Sequence, residues 1–265
     1  MIIDFHTHIF PDRIASRTIE HLSKTGGIPP YSDGTVSGLS AEMRRGGVDI
    51  SIALPVLTSP TQFDSVNRYA EEINRDFPGI ISFAGIHPRC ENISEKMSEI
   101  RARGFLGVKI HPDYQEAFID DEGYIEILES AKREGLIVVA HSGVDGAYRG
   151  LPVRCTPERA KRVIDNVRPE KFVLAHLGAN EMFSEVFDVL AGDAVYFDTA
   201  YILSYISDAD FHKILEKHGA DKILFATDSP WTDVRASVER IRSLGLDRET
   251  EEKIFFKNAK SLLGI

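Results

Sequence analysis

Two cysteines in 265 residues, Cys90 and Cys155, are too few for a disulfide framework and too isolated for a cysteine-built zinc site. That scarcity points to a reducing compartment. Basic charge is also in deficit. Lys and Arg total 31 against 41 Asp and Glu, a net charge of −10, which disfavours nucleic acid or an anionic membrane surface as partner. Nowhere do about 18 apolar residues follow one another, so no segment reads as membrane-spanning. The start, Met1-Ile2-Ile3-Asp4-Phe5-His6, lacks the basic stretch, apolar run and small-residue cleavage site of a signal peptide. The expectation is a cytoplasmic protein acting on a small molecule, with no nucleic-acid or membrane partner. Assembly with further copies stays open. No linker, repeat or low-complexity segment divides the chain, and residues 1–265 read as one domain. The Gly/Pro/Ser-rich stretch Thr25–Ser40 reads as a long loop.

What the sequence does have is a rhythm. Short β-branched apolar runs recur at Ile2–Ile9, Ile50–Val56, Ile80–His87, Leu106–His111, Ile137–His141, Phe172–His176, Ala194–Thr199 and Lys222–Asp228. Amphipathic stretches lie between them, including Thr61–Phe77, Tyr124–Glu134, Pro157–Val167 and Asp233–Leu244. Strand ends recur about every 31 residues, the spacing that a closed eightfold α/β barrel of roughly 250 residues requires. A doubly wound open sheet would bring a Gly-rich phosphate loop after the first strand, where this chain has His-Thr-His. The predicted architecture is a single (β/α)8 TIM barrel.

Six of the nine histidines stand at the C-terminal ends of predicted strands: His6, His8, His87, His111, His141 and His176. Asp228 ends the eighth. In barrels that rim is where active sites form. On a strand, i and i+2 share a face about 6–7 Å apart, so His6 and His8 can turn towards one metal ion. By the same parity Lys109 and His111 face inward, and Asp4 shares the face of His6 and His8. Neutral imidazoles with a carboxylate suit a divalent ion such as zinc, which would lower the pKa of bound water. His87 reads as a turn-fixing residue. His21, His212 and His218 fall on predicted helices and read as solvated or capping.

Asp4-Phe5-His6-Thr7-His8, His141, His176 and Asp228, with Leu39–Val48, Gly107-Val108-Lys109-Ile110-His111-Pro112 and Asn258–Leu263, resemble the amidohydrolase superfamily. The likeness is strongest to its amidohydrolase-2 branch, which includes aminocarboxymuconate-semialdehyde decarboxylase and related aromatic-acid decarboxylases. The resemblance implies that His6, His8, His141 and Asp228 bind metal. It makes His176 an acid/base or polarising group beside one ion, with Asp228 and Lys109 as further catalytic groups. In two-metal relatives the strand-5 and strand-6 histidines bind the second ion, and a carboxylated strand-4 lysine, here Lys109, bridges both. One ion is favoured by the branch; two remain the alternative.

The implied activity is metal-dependent hydrolysis of a small amide, lactone or ester. The alternative is non-oxidative decarboxylation of a small aromatic or unsaturated acid, against which the shortness of the chain counts. His111, Arg89 and Trp231 are the expected substrate contacts. Arg149 and Arg154 are further candidates for gripping a carboxylate, and Tyr201 for walling an apolar pocket.

Overall fold

The computed structural model describes residues 1–265. The strands are β1 (Ile3–Thr7), β2 (Ile50–Ala53), β3 (Ile80–Ser82), β4 (Ala84–Gly85), β5 (Gly107–Ile110), β6 (Ile137–Ala140), β7 (Phe172–Leu174), β8 (Tyr196–Asp198) and β9 (Ile223–Leu224). All pair in parallel, in the orders β1-β2-β3 and β4-β5-β6-β7-β8-β9. β3 and β4 are the halves of one expected strand, parted at Phe83. Its amide donates to Ala53 O at 2.9 Å, and its ring meets Phe5 edge-on at 6.0 Å. β1 and the chain after β9 meet through Phe5 N–H to Phe225 O (2.9 Å), Asp228 N–H to His6 O (2.8 Å) and His8 N–H to Ser229 O (2.7 Å). The strands thus follow one another around an α/β barrel.

Two apolar clusters follow from the alternation of side chains. Ile3, Phe5, Ile52, Leu54, Phe83, Ile137, Val139, Val173, Leu224 and Ala226 form the inner one, joined by Ala259, Leu262 and Leu263 of the last helix, Asn258–Leu263. The outer one collects the opposite strand face, including Val108, Ile110, Val138, Phe197 and Phe225, with the apolar sides of the helices. Val108 and Ile110 lie outward and Lys109 between them is buried, as the parity predicts. β1 breaks the simple alternation. Its register shifts between Asp4 and Thr7. Asp4 is held by Thr227, whose amide and hydroxyl donate to it at 2.9 and 2.6 Å.

The helices follow their capping signals. Thr156 Oγ1 accepts from Arg159 N at 3.3 Å and starts Pro157–Val167, which buries Ala160, Val163, Ile164 and Val167. The expected loop Thr25–Ser40 is shorter than its composition implied. One helix, Asp12–Gly26, runs into it, and another begins at Val36, capped by Thr35 and burying Val36, Leu39 and Met43. No helix is long and apolar enough to cross a membrane.

His218 is a second correction. It is buried at 7% exposure, stacked on Phe197 at 3.8 Å, and its Nδ1 accepts from Gly192 N. Burial pushes its pKa down to about 4 from 6.5. Above pH 6.5 both folded and unfolded chains are neutral here. As pH falls from 6.5 towards 4, only the unfolded chain takes up the proton, so stability is lost over that window, by up to about 3 kcal/mol. His218→Gln should flatten the fall in denaturant stability between pH 6.5 and 4. An unchanged pH slope in the variant would remove His218 from the account.

Candidate metal centre

β1 delivers His6 and His8 to the mouth, and the chain leaving β9 delivers Asp228. His6 Nε2 and His8 Nε2 are 3.2 Å apart, and Asp228 Oδ1 lies 3.6 and 3.1 Å from them. The far side of each ring is tied down. His6 Nδ1 donates to Asp198 Oδ2 at 2.8 Å, and His8 Nδ1 to Leu54 O at 2.9 Å. A carbonyl or carboxylate oxygen takes a proton there, so each neutral ring turns an Nε2 lone pair into the site. Two lone pairs and a carboxylate then face one another at close range, an arrangement that calls for a cation. Their separations match the edges of a tetrahedron with arms of about 2.0–2.1 Å, roughly 3.3–3.4 Å. Burial, then Lys109, lowers the His6 pKa well below its usual value, which keeps the ring neutral. Burial works to raise the Asp228 pKa, but His6 and His8 prevail and hold it below the usual range. The donor set therefore fits a divalent ion.

His176 and His141 form a second pair. His176 Nδ1 donates to Ala200 O at 3.0 Å, and its Nε2 meets His141 Nδ1 at 2.9 Å. His141 thus stands outside the triangle of His6, His8 and Asp228. Its Nδ1 is directed to His176, whose ring lies 5.5 Å from that of His6. A further group of ligand-type side chains comprises His111, His141 and Asp145. His111 is sandwiched between His141 (4.1 Å) and Tyr114 (4.0 Å), both nearly parallel to it. Lys109 Nζ donates to His6 Nε2 at 3.2 Å, and burial lowers its pKa to about 8.

Other expected residues lie elsewhere. Arg89 is exposed and donates to Glu116 O at 2.7 Å. Arg149 is bound to Glu181. Arg154 does grip a carboxylate, but the protein's own Asp113, at 3.2 Å. His87 Nδ1 accepts from Arg89 N at 3.1 Å and serves a turn. Trp231 is half-buried beside the triangle, its amide donating to Asp228 O at 2.8 Å. Tyr201 is half-buried, and its amide donates to Thr227 O.

Asp198 is the functional residue that sequence reading missed. Besides holding His6, its Oδ1 accepts from the amides of His176 (2.9 Å) and Ala200 (3.0 Å). Its signal was available, since it ends β8 as the histidines end their strands. His176 and Asp228 carry positive φ, 62° and 67°, which costs roughly 1–2 kcal/mol each. The Asp198 bond to His176 N and the His6 bond to Asp228 N offset that strain.

Comparisons agree with this picture. The family model described as Amidohydrolase, of the amidohydrolase-2 type, matches residues 3–265. No curated protein matches the chain. Among solved structures, 5-carboxyvanillate decarboxylase from Sphingomonas paucimobilis shares 16% identity at a TM-score of 0.70, over 100% of this chain and 99% of that one. The Novosphingobium aromaticivorans 5-carboxyvanillate decarboxylase, complexed with manganese and a nitrobenzoic acid, shares 13% at 0.74, over 100% and 96%. A Bordetella bronchiseptica TIM-barrel protein shares 18% at 0.76, over 99% and 98%.

Two sets of variants test the site. His6→Ala, His8→Ala and Asp228→Asn should fold and lose metal, because these side chains stand at the rim; full metal occupancy in all three would refute the triangle. Asp198→Asn turns an NH2 group towards His6 Nδ1 and drives the ring proton to Nε2, into the triangle. Zinc affinity, measured by chelator competition, should fall about 10–100-fold. By descent of its whole length and by fold, the chain belongs to the amidohydrolase-2 family.

Proposed function

We propose that the protein is a metal-dependent, non-oxidative carboxy-lyase acting on a small aromatic or unsaturated carboxylic acid. Lys109 carries this reading. It is 1% exposed, no carboxylate lies within 4 Å of its Nζ, and its one hydrogen-bond acceptor is His6 Nε2. Once a cation occupies that nitrogen, the ammonium has no partner. A buried unpaired charge costs several kcal/mol, and a substrate carboxylate at this place relieves it. The neighbours named as aromatic-acid decarboxylases support the same reading, and two of them, including the Polaromonas dihydroxybenzoic acid decarboxylase, are described with manganese. The match extends over 96–99% of those decarboxylase chains, so the shortness of this chain does not count against it.

The reaction converts R–COO⁻ and a proton to R–H and carbon dioxide. The carbon–carbon bond breaks, its electron pair stays on the substrate carbon, and no oxidant or reductant enters. A bound divalent ion, zinc or manganese, would supply electrophilic pull on the substrate oxygens. One ion, held by His6, His8 and Asp228 with His141 and His176 adjoining, is the favoured count. Lys109 grips the carboxylate. Trp231, half-buried beside the triangle, offers a wall for a planar substrate. His176, whose Nδ1–H stays on Ala200 O, takes a proton from solvent at Nε2 and, as the doubly protonated ring, hands it to the carbon, and Asp228 relays protons at the triangle. Hydrolysis of an amide, lactone or ester would use the same groups, but it gives the Lys109 ammonium no carboxylate.

Metal-loaded protein should release carbon dioxide from some members of an aromatic-acid panel and no acid from lactones or amides; the opposite pattern would establish the hydrolase. Lys109→Ala should keep about one metal per chain and raise KM for the acid about 10–100-fold, the worth of a charged hydrogen bond. Two metals per chain in the wild type, falling in this variant, would instead mark Lys109 as a carboxylated bridge.

A further inference from the structure

Tyr201 holds a backbone conformation that its side chain makes costly. Its φ is 66° and its ψ −41°, outside the left-handed helical region open to ordinary residues with positive φ. Asn92 and Arg168, with ψ of 51° and 59°, stay inside that region. The Ile202 amide donates to Ala200 O at 2.7 Å, which closes a three-residue γ-turn of the rare, strained hand around Tyr201. The backbone has a use for this turn. Ala200 O also accepts from His176 Nδ1 at 3.0 Å, and the Tyr201 amide donates to Thr227 O at 3.2 Å, one residue before Asp228. Glycine would meet both needs at no steric cost, as Gly178 does at φ 92° in the loop before. The presence of a tyrosine has to be explained by its side chain.

Packing does not explain it. Tyr201 is half-buried and belongs to neither apolar cluster, whereas Ile202 and Leu203 beside it are core residues. Its ring meets one other aromatic ring, that of Tyr205, at 5.8 Å. Nor does its hydroxyl serve the fold. Tyr124 and Tyr205 give theirs to Gln115 and Asn180, and the Tyr201 hydroxyl has no partner in the protein. The charges that act on it are Asp228 of the metal triangle first, then Glu181 and Arg149, which pair with each other at the rim. The phenol thus stands at the mouth, between the triangle and that ion pair, with a free donor. Strain kept at a residue that neither packs in the core nor bonds to the fold marks a functional position.

We propose that Tyr201 is a specificity-determining residue: its hydroxyl, held at the mouth by the strained turn, donates a hydrogen bond to an oxygen substituent of the bound substrate. Its part is therefore polar, and not that of a wall to an apolar pocket. The strain keeps the phenol in place before substrate arrives, so little ordering remains to be done on binding. The inference rests on the carboxy-lyase reading for its choice of probes, and the measurements below separate the two.

The test uses zinc-loaded protein and four probes, benzoate and its 2-, 3- and 4-hydroxy derivatives, with binding followed by calorimetry and carbon dioxide release followed separately. The wild type should bind at least one hydroxybenzoate more tightly than benzoate. Tyr201→Phe, which keeps the ring and removes one oxygen, should weaken that acid about 3–10-fold, the worth of a neutral hydrogen bond, and leave benzoate unchanged. Tyr201→Gly should lose the same preference, yet unfold at a urea concentration no lower than the wild type, because glycine releases the strain. A preference unchanged in Tyr201→Phe would overturn the proposal. So would a wild type that binds no hydroxybenzoate better than benzoate, a result that needs no variant to fold. A lower urea midpoint in Tyr201→Gly would also overturn it, since the phenol would then be holding the fold together. A preference lost in Tyr201→Phe with no carbon dioxide released from any probe would support Tyr201 and count against the carboxy-lyase. Carbon dioxide release with the preference intact in Tyr201→Phe would do the reverse.

Discussion

The tautomers of His6 and His8 are the constraint on which the rest of the mouth depends. A neutral imidazole has one proton to place. Asp198 claims it on one ring and the Leu54 carbonyl on the other, both at Nδ1. Two Nε2 lone pairs are thereby left 3.2 Å apart, an arrangement that is repulsive in isolation and becomes favourable around a cation. The site is preorganised in the sense that the cost of aligning the donors is met by hydrogen bonds outside it. Burial adds to this by keeping the rings of His6, His111 and His141 neutral, so no proton has to leave before metal arrives.

That collection of polar groups can exist in a barrel only because the apolar work is done elsewhere. The inner cluster of Ile3, Phe5, Phe83, Val139 and Val173, with Leu262 and Leu263 of the last helix, fills the interior with side chains that need no partner. The irregular register of β1 marks the transition. Ile3 and Phe5 belong to the packed interior, and a shifted ladder then turns His6 to the site while Asp4 is left to Thr227. Burial holds the Asp4 pKa up at about 7, a sign of how dry the zone beneath the metal centre is.

The sequence made legible those features that follow from periodicity. Runs of β-branched residues at regular spacing marked the barrel strands, and parity placed Lys109 inward between Val108 and Ile110. The triangle of His6, His8 and Asp228 was readable because each residue ends a strand. The residues that hold the ligands were harder. Asp198 had the same signal as the histidines and was passed over because an acidic strand end is less conspicuous. The arginines misled for a related reason: a guanidinium seeks a carboxylate, and for Arg149 and Arg154 the nearest one belongs to the protein. His218 looked like a solvated helix residue, since nothing local reveals that Phe197 lies beneath it. The helix at Val36 was hidden by the serines and glycines that flank its cap.

On the carboxy-lyase reading, charge balance would tie the substrate to the lysine. Counting the ligand rings as the neutral imidazoles that metal binding requires, and only the groups in contact with His6, Asp198 and Asp228 supply two negative charges against one from Lys109. A single divalent ion therefore leaves the centre with one net positive charge, which one substrate carboxylate cancels. Two ions with a carboxylated lysine leave the same surplus, but there a hydroxide cancels it and no ammonium remains to grip an acid. The two readings thus differ in what completes the site, although they use the same side chains. Lys109 reaches His6 Nε2 at 3.2 Å, close enough that an ion in the triangle must displace that contact and leave the ammonium without its acceptor. Burial has already lowered its pKa to about 8, so the ion works to deprotonate it, and a bound carboxylate works to keep it charged. On that reading metal and acid substrate would be coupled through one proton, each altering the charge state that the other requires.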